Sequence, residues 1–125
     1  MKSRLATIAL AVAAATALAL AQHRRGDFLQ RISPSAAARP NPYAGQHDAE
    51  LAGGKLYARH CAECHGANRA GYGKAPPLAQ PLVRDAAAGT LFRAITDGSL
   101  NRGMPSFAAI PEPQRWQIVT FLKGR

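Results

Sequence analysis

The pentapeptide Cys61-Ala62-Glu63-Cys64-His65 holds the only two cysteines of the 125-residue chain and constrains it more than any other feature. On a helix, positions three apart lie about one turn from each other, so both sulfurs face one side of the backbone. His65 follows where its imidazole reaches the centre of a flat group held by the two sulfurs. That spacing is the one used for covalent haem attachment, with two thioether links to the porphyrin edge and an imidazole on iron. Three other readings of the pair fare worse. A zinc half-site needs two further ligands, and His23, His47 and His60 do not supply a finger-like partner. A thioredoxin-type redox pair sits at a helix start in a strand-helix-strand unit, and no stretch after residue 21 alternates as a strand. A disulfide closing so small a loop gains little chain entropy.

A second iron ligand is expected from Met104, the only methionine besides the initiator, placed in Asn-Arg-Gly-Met-Pro-Ser-Phe 39 residues after His65. A thioether is a soft, neutral ligand that favours Fe(II) and raises the reduction potential. Pro105 restricts Met104 to an extended backbone, which suits a loop aiming a side chain inward better than it suits a gap-filling core methionine. His47 is the alternative sixth ligand; His60 shares the attachment segment with His65. In Ala-Pro-Pro-Leu, the Pro76 carbonyl is the candidate acceptor for the non-ligating nitrogen of His65, with Pro77 as its alternative. On the competing reading both prolines only stiffen a turn.

The frame around these residues reads as helical. Residues 1–21 combine Lys2 and Arg4 with an apolar run from Leu5 to Ala21 and an Ala-Leu-Ala cleavage signal, which predicts a signal peptide, or an uncleaved membrane anchor. Residues 22–45, rich in arginine and proline and without period, predict a flexible spacer, with one short helical turn around Phe28, Leu29 and Ile32. From 46 to 125 a single small domain is expected. A helix over about 48–62 carries Asp48 and Glu50 in its first turn. It also contains Gly53 and Gly54, each costing about 1 kcal/mol relative to alanine, so another element must approach closely there. A short helix is predicted with Thr90 as its cap, Leu91 and Ile95 on one face and Gly98 at its end. A last helix from Pro111 to Lys123 carries Trp116, Ile118, Val119, Phe121 and Leu122 over more than half its circumference, and its broad face predicts burial against the glycine-bearing helix. Aromatics make up 6% of the chain, so a bound cofactor would complete a core this small.

The formal charge is +9, and about +7 once Lys2 and Arg4 leave with a signal peptide. The basic residues are scattered singly, without the aromatic interleaving of a nucleic-acid surface, and no nucleic-acid partner is expected. Lys55, Arg69, Lys74 and Arg102 are expected to steer acidic protein partners.

With these pieces in view, the chain resembles the class I cytochrome c family, in its small bacterial monohaem form, over about residues 46 to 125. The resemblance is carried by Gly-Gly-Lys-Leu-Tyr-Ala-Arg-His-Cys-Ala-Glu-Cys-His-Gly, Ala-Pro-Pro-Leu, Ile-Thr-Asp-Gly-Ser-Leu-Asn-Arg-Gly-Met-Pro-Ser-Phe and Arg-Trp-Gln-Ile-Val-Thr-Phe-Leu-Lys-Gly-Arg. It implies an all-α fold of three to five helices wrapped around one covalent haem c, held by Cys61 and Cys64 and ligated by His65 and Met104. It also implies a crossing of first and last helices at Gly53, Tyr57, Ile118 and Phe121. For the haem propionates, Arg84, Arg93 and Tyr72 are the candidates. The function implied is one-electron transfer between redox protein partners in the periplasm, without enzymatic turnover. The alternatives are a cytochrome subunit of a membrane dehydrogenase or oxidase, anchored through residues 5–21, and a haem enzyme or ligand sensor with an open sixth position.

Overall fold

Two helices approach each other closely at Gly53. A Cβ on this residue would lie 2.0 Å from the Gln117 carbonyl oxygen and 2.9 Å from Phe121 Cβ, so the two helices that carry them cross backbone to backbone. They are α2 (His47–His60) and α6 (Glu112–Lys123) in the computed structural model of the protein. The model describes residues 12–17 and 28–124. Residues 32–125 form one unit and residues 1–31 another. In the first unit, residues 12–17 are helical and exposed, and residues 28–30 make one helical turn. Most of the export segment read over 1–21 therefore lies outside the described residues, among which no helix is long and apolar enough to cross a membrane.

The second unit is all-α, with α1 (Pro34–Ala37), α2, α3 (Ala62–His65), α4 (Pro81–Asp85), α5 (Ala88–Asp97), a 3-10 turn (Leu100–Arg102) and α6. Its core is centred on α6, which packs against both α2 and α5. Tyr57 from α2 and Ile118 and Val119 from α6 are fully buried, and Phe92 stacks on Trp116 with centroids 4.0 Å apart. Burial of side chains such as Ile118 and Val119 stabilises by about 1.5–3 kcal/mol each. Tyr57 and Phe121 complete the crossing with ring centroids 5.2 Å apart, so the four residues expected at the crossing do lie in or beside it.

Two expectations are corrected. Thr90 does not cap α5: the helix begins at Ala88 with Ala87 in the capping position and no side-chain cap. Thr90 is buried inside the first turn because Gly89, beside it, packs against the Ala36 and Ala37 carbonyls. Residues 34–45, read as part of a spacer, are folded against α5 and α6. Ser33 accepts the Ala36 N–H and Pro34 occupies the first turn of α1. Arg39 reaches Glu112 at 2.7 Å and lies over the Phe92 and Trp116 rings, while Asn41 donates to Thr120 Oγ1 at 2.9 Å. These contacts use backbone, a guanidinium and an amide, so they leave no apolar period in the sequence. Hydrogen bonding from Arg39 holds the Glu112 carboxyl below its ordinary range, so this anchor is present at neutral pH and lost on acidification.

Candidate functional site

α2 stops at Cys61 because the chain leaves the helical basin there, at φ −121° and ψ −34°. The Cys61 N–H still donates to the Tyr57 carbonyl at 2.8 Å, and the Cys61 carbonyl accepts from Cys64 and His65 to start the single turn α3. The attachment segment is thus a kinked continuation of the helix that crosses α6, and its position follows from the Gly53 contact. Both thiols are free, Cys61 half-buried and Cys64 exposed. Burial, and secondarily the neighbouring Cys64, push the Cys61 thiol up to about 11, so it stays protonated at neutral pH.

His65 Nδ1 lies 2.9 Å from the Pro76 carbonyl oxygen. A carbonyl only accepts, so Nδ1 carries the proton and the lone pair is left on Nε2. The Pro77 carbonyl accepts from Gln80 Nε2 instead, at 2.7 Å. His47 is exposed at the opposite end of α2, about 20 Å along the axis from Cys61 at 1.5 Å per residue.

Met104 is half-buried, and its backbone is pinned by a two-bond bridge in which its N–H donates to the Ser99 carbonyl at 3.1 Å and its carbonyl accepts from Ser99 at 2.8 Å. The same loop is stapled to the end of α5: Ser106 Oγ donates to the Thr96 carbonyl at 2.6 Å and Phe107 N–H to the Ile95 carbonyl at 3.1 Å. Gly98 ends α5 at φ +65° and abuts the Met104–Pro105 backbone, where a Cβ would meet the Pro105 carbonyl oxygen at 2.3 Å. Ser99 and Gly98 were missed as supports of Met104. Glycine as the residue between a helix end and a proline-restricted loop was the available signal.

The other expectations divide. Lys55, Lys74 and Arg102 are exposed. Arg69 is not: it is half-buried, with its guanidinium 5.0 Å from the Phe121 ring centroid and 3.4 Å from the Phe121 carbonyl, which makes it a structural residue. Arg93 is engaged with Asp97 at 2.5 Å, Arg84 is exposed, and Tyr72 is 81% exposed.

Tyr57 also bears on the site, since its hydroxyl donates to the Gly66 carbonyl at 2.7 Å and so ties the turn after His65 to the helix crossing. Burial, reinforced by Cys61, pushes this phenol up to about 12. A group raised above its unfolded value near 10 stabilises fully below that pH and loses its contribution as pH rises through the folded value. Tyr57→Phe is therefore expected to cost about 1 kcal/mol at pH 8, from the lost hydrogen bond, and to show a shallower fall in stability between pH 10 and 12. Denaturant midpoints of both proteins across that range check this, and parallel curves would contradict it.

A helical fold that presents a Cys-x-x-Cys-His turn, with the histidine oriented by a proline carbonyl, defines a c-type cytochrome. The chain belongs to the family described as cytochrome C oxidase, cbb3-type, subunit III, whose model matches residues 48–122. No curated protein and no solved structure matches it significantly. Cytochromes of this family carry covalent haem c and serve generally as electron carriers working outside the cytoplasm. The residues present fit that group: two unbridged thiols one turn apart, an imidazole whose Nε2 is left for a metal, and a thioether on a pinned loop.

Proposed function

We propose that this protein is a monohaem c-type cytochrome acting as a one-electron carrier in the periplasm. Haem c supplies an Fe(II)/Fe(III) couple. Cys61 and Cys64 would hold the porphyrin through thioethers, and His65 Nε2 and Met104 Sδ would be the protein's ligands to its iron. The observation that carries this reading is the His65–Pro76 hydrogen bond, which sets tautomer and ring orientation on the same turn as the two thiols. The Ser99 bridge supports Met104 as the distal ligand, since it fixes the backbone from which the thioether projects. With an imidazole and a thioether both supplied by the protein, the chain would hold a ligand set that needs little rearrangement when the charge on iron changes. Lys55 and Lys74 then meet acidic partners through weak, salt-sensitive docking.

A second reading, in which the chain is a haem subunit of a membrane oxidase, is favoured by the family match over residues 48–122. Absorption spectra of purified, matured protein test the first reading. Thioether-linked low-spin haem, with the weak far-red band of sulfur ligation when oxidised and no carbon monoxide binding when reduced, is the expected result; colourless protein or high-spin iron overturns it. Salt washing of membranes separates the two readings, because a carrier is released and an integral subunit stays until detergent is added.

A further inference from the structure

The loop from Gly66 to Gln80 places the carbonyl that faces His65, and two features within it set where that carbonyl stands. Arg69 holds a left-handed backbone, φ +62°, the only residue other than glycine with positive φ among those described. Its carbonyl accepts two N–H groups, Leu78 at 2.8 Å and Ala79 at 3.1 Å. These bonds pin the chain just beyond the prolines, while the Arg69 guanidinium reaches the Phe121 carbonyl on α6. Opposite them, Gly71 donates its N–H to the His65 carbonyl at 2.8 Å, and its α-carbon faces the Pro76–Pro77 peptide. A Cβ there would lie 2.7 Å from Pro77 N, 2.9 Å from the Pro76 carbonyl carbon and 2.7 Å from the Ala75 carbonyl oxygen. All three are backbone atoms, which cannot swing aside as the end of a side chain does.

We propose that Gly71 is a positioning residue for the axial histidine: its bare α-carbon lets the Pro76 peptide sit against the His65 turn, at the distance that keeps the Nδ1–H···O bond. The proposal rests on His65 being an iron ligand. A hydrogen bond from Nδ1 makes the imidazole a stronger donor to a metal, and stronger donation favours Fe(III). Any side chain at position 71 pushes the carbonyl outward, weakens the bond, and raises the reduction potential.

The structure contains its own control. Gly73, two residues on, also has positive φ, +57°, but a Cβ there meets nothing within 4 Å. Gly71→Ala and Gly73→Ala thus both place alanine in a left-handed backbone, and only the first disturbs Pro76. The experiment compares holoproteins of wild type and both variants by redox titration, and follows the His65 Nδ1 proton by NMR in the reduced state. The expected result is an upward shift in potential with faster Nδ1–H exchange in Gly71→Ala, and wild-type values for both in Gly73→Ala. Equal potentials in the two variants, or a downward shift in Gly71→Ala, overturn the proposal. If Gly71→Ala yields no holoprotein, Gly71→Asn is compared with Gly73→Asn, because asparagine tolerates the left-handed backbone and leaves the Cβ contact as the perturbation. Failure of both Gly71 variants to accumulate, while both Gly73 variants keep the wild-type potential, also counts against it, since the contact would then serve the fold as a whole. The wild-type spectrum separates this inference from the reading beneath it: without a low-spin, histidine-ligated haem in the wild type, the ligand assignment fails first.

Discussion

Gly53→Ala is expected to destabilise the holoprotein by about 2 kcal/mol or more. Alanine improves intrinsic helix propensity by about 1 kcal/mol, so propensity alone predicts the opposite sign. Packing wins because the added methyl would stand 2.0 Å from the Gln117 carbonyl oxygen and 2.6 Å from its carbon. Those atoms belong to the backbone of α6, so the helices must separate, and with them the Tyr57–Phe121 contact and the buried faces of Ile118 and Val119. Overpacking of this kind costs about 1–3 kcal/mol and occasionally more. The comparison is Gly54→Ala. Its Cβ would meet only Cδ2 and Cε2 of the Phe121 ring, both at 3.3 Å, and a ring can tilt. A shift within about 0.5 kcal/mol of wild type, of either sign, is expected there. Denaturant midpoints of the two variants check the pair. Equal stability of Gly53→Ala and wild type would mean that the crossing is looser than the structure has it.

Met104→Ala is expected to leave the fold largely intact and to change the haem's chemistry. The position is half-buried, and the loop's own bonds, Ser99 to Met104 and Ser106 to Thr96, run through backbone atoms and a different side chain. Truncation therefore removes the thioether without removing the scaffold. On the proposed ligation, the sixth position opens and oxidised iron becomes high-spin with loss of the far-red band. Carbon monoxide should then bind the reduced form. The potential should fall, because the lost ligand is the one that favours Fe(II). A tenfold change in the Fe(II)/Fe(III) ratio, about 59 mV for one electron, is the smallest shift that would support the assignment. Met104→His should stay low-spin, refuse carbon monoxide, and also fall in potential. A low-spin Met104→Ala protein with the wild-type potential would remove Met104 from the iron.

The chemistry of the candidate site was legible because it is local. Two thiols one turn apart with a histidine beside them need only a helix, and Met104 before a proline needs only a loop. The apolar face of α6 and the glycines of α2 were legible for the same reason: a packed helix writes its contacts at a fixed period, and a glycine inside it costs stability that some neighbour must explain. The start of α5 differs because the capping preference of Thr90 is overridden: where α1 approaches Gly89, the helix begins three residues earlier, with Ala87 in the capping position. The folding of residues 34–45 onto the domain was hidden, although Ser33 followed by Pro34 is a recognisable helix start.

By itself the sequence determined the all-α class, the haem-attachment turn and the two helices that cross, since each is encoded in spacing along a few turns of chain. Only the tertiary structure decided that the Pro76 carbonyl rather than that of Pro77 meets His65, that Arg69 supports α6 instead of facing a partner, and that Gly71 and Gly98 carry close backbone contacts. Such contacts join atoms every residue possesses, so their partners leave no mark in composition or period and emerge only when distant segments are brought together.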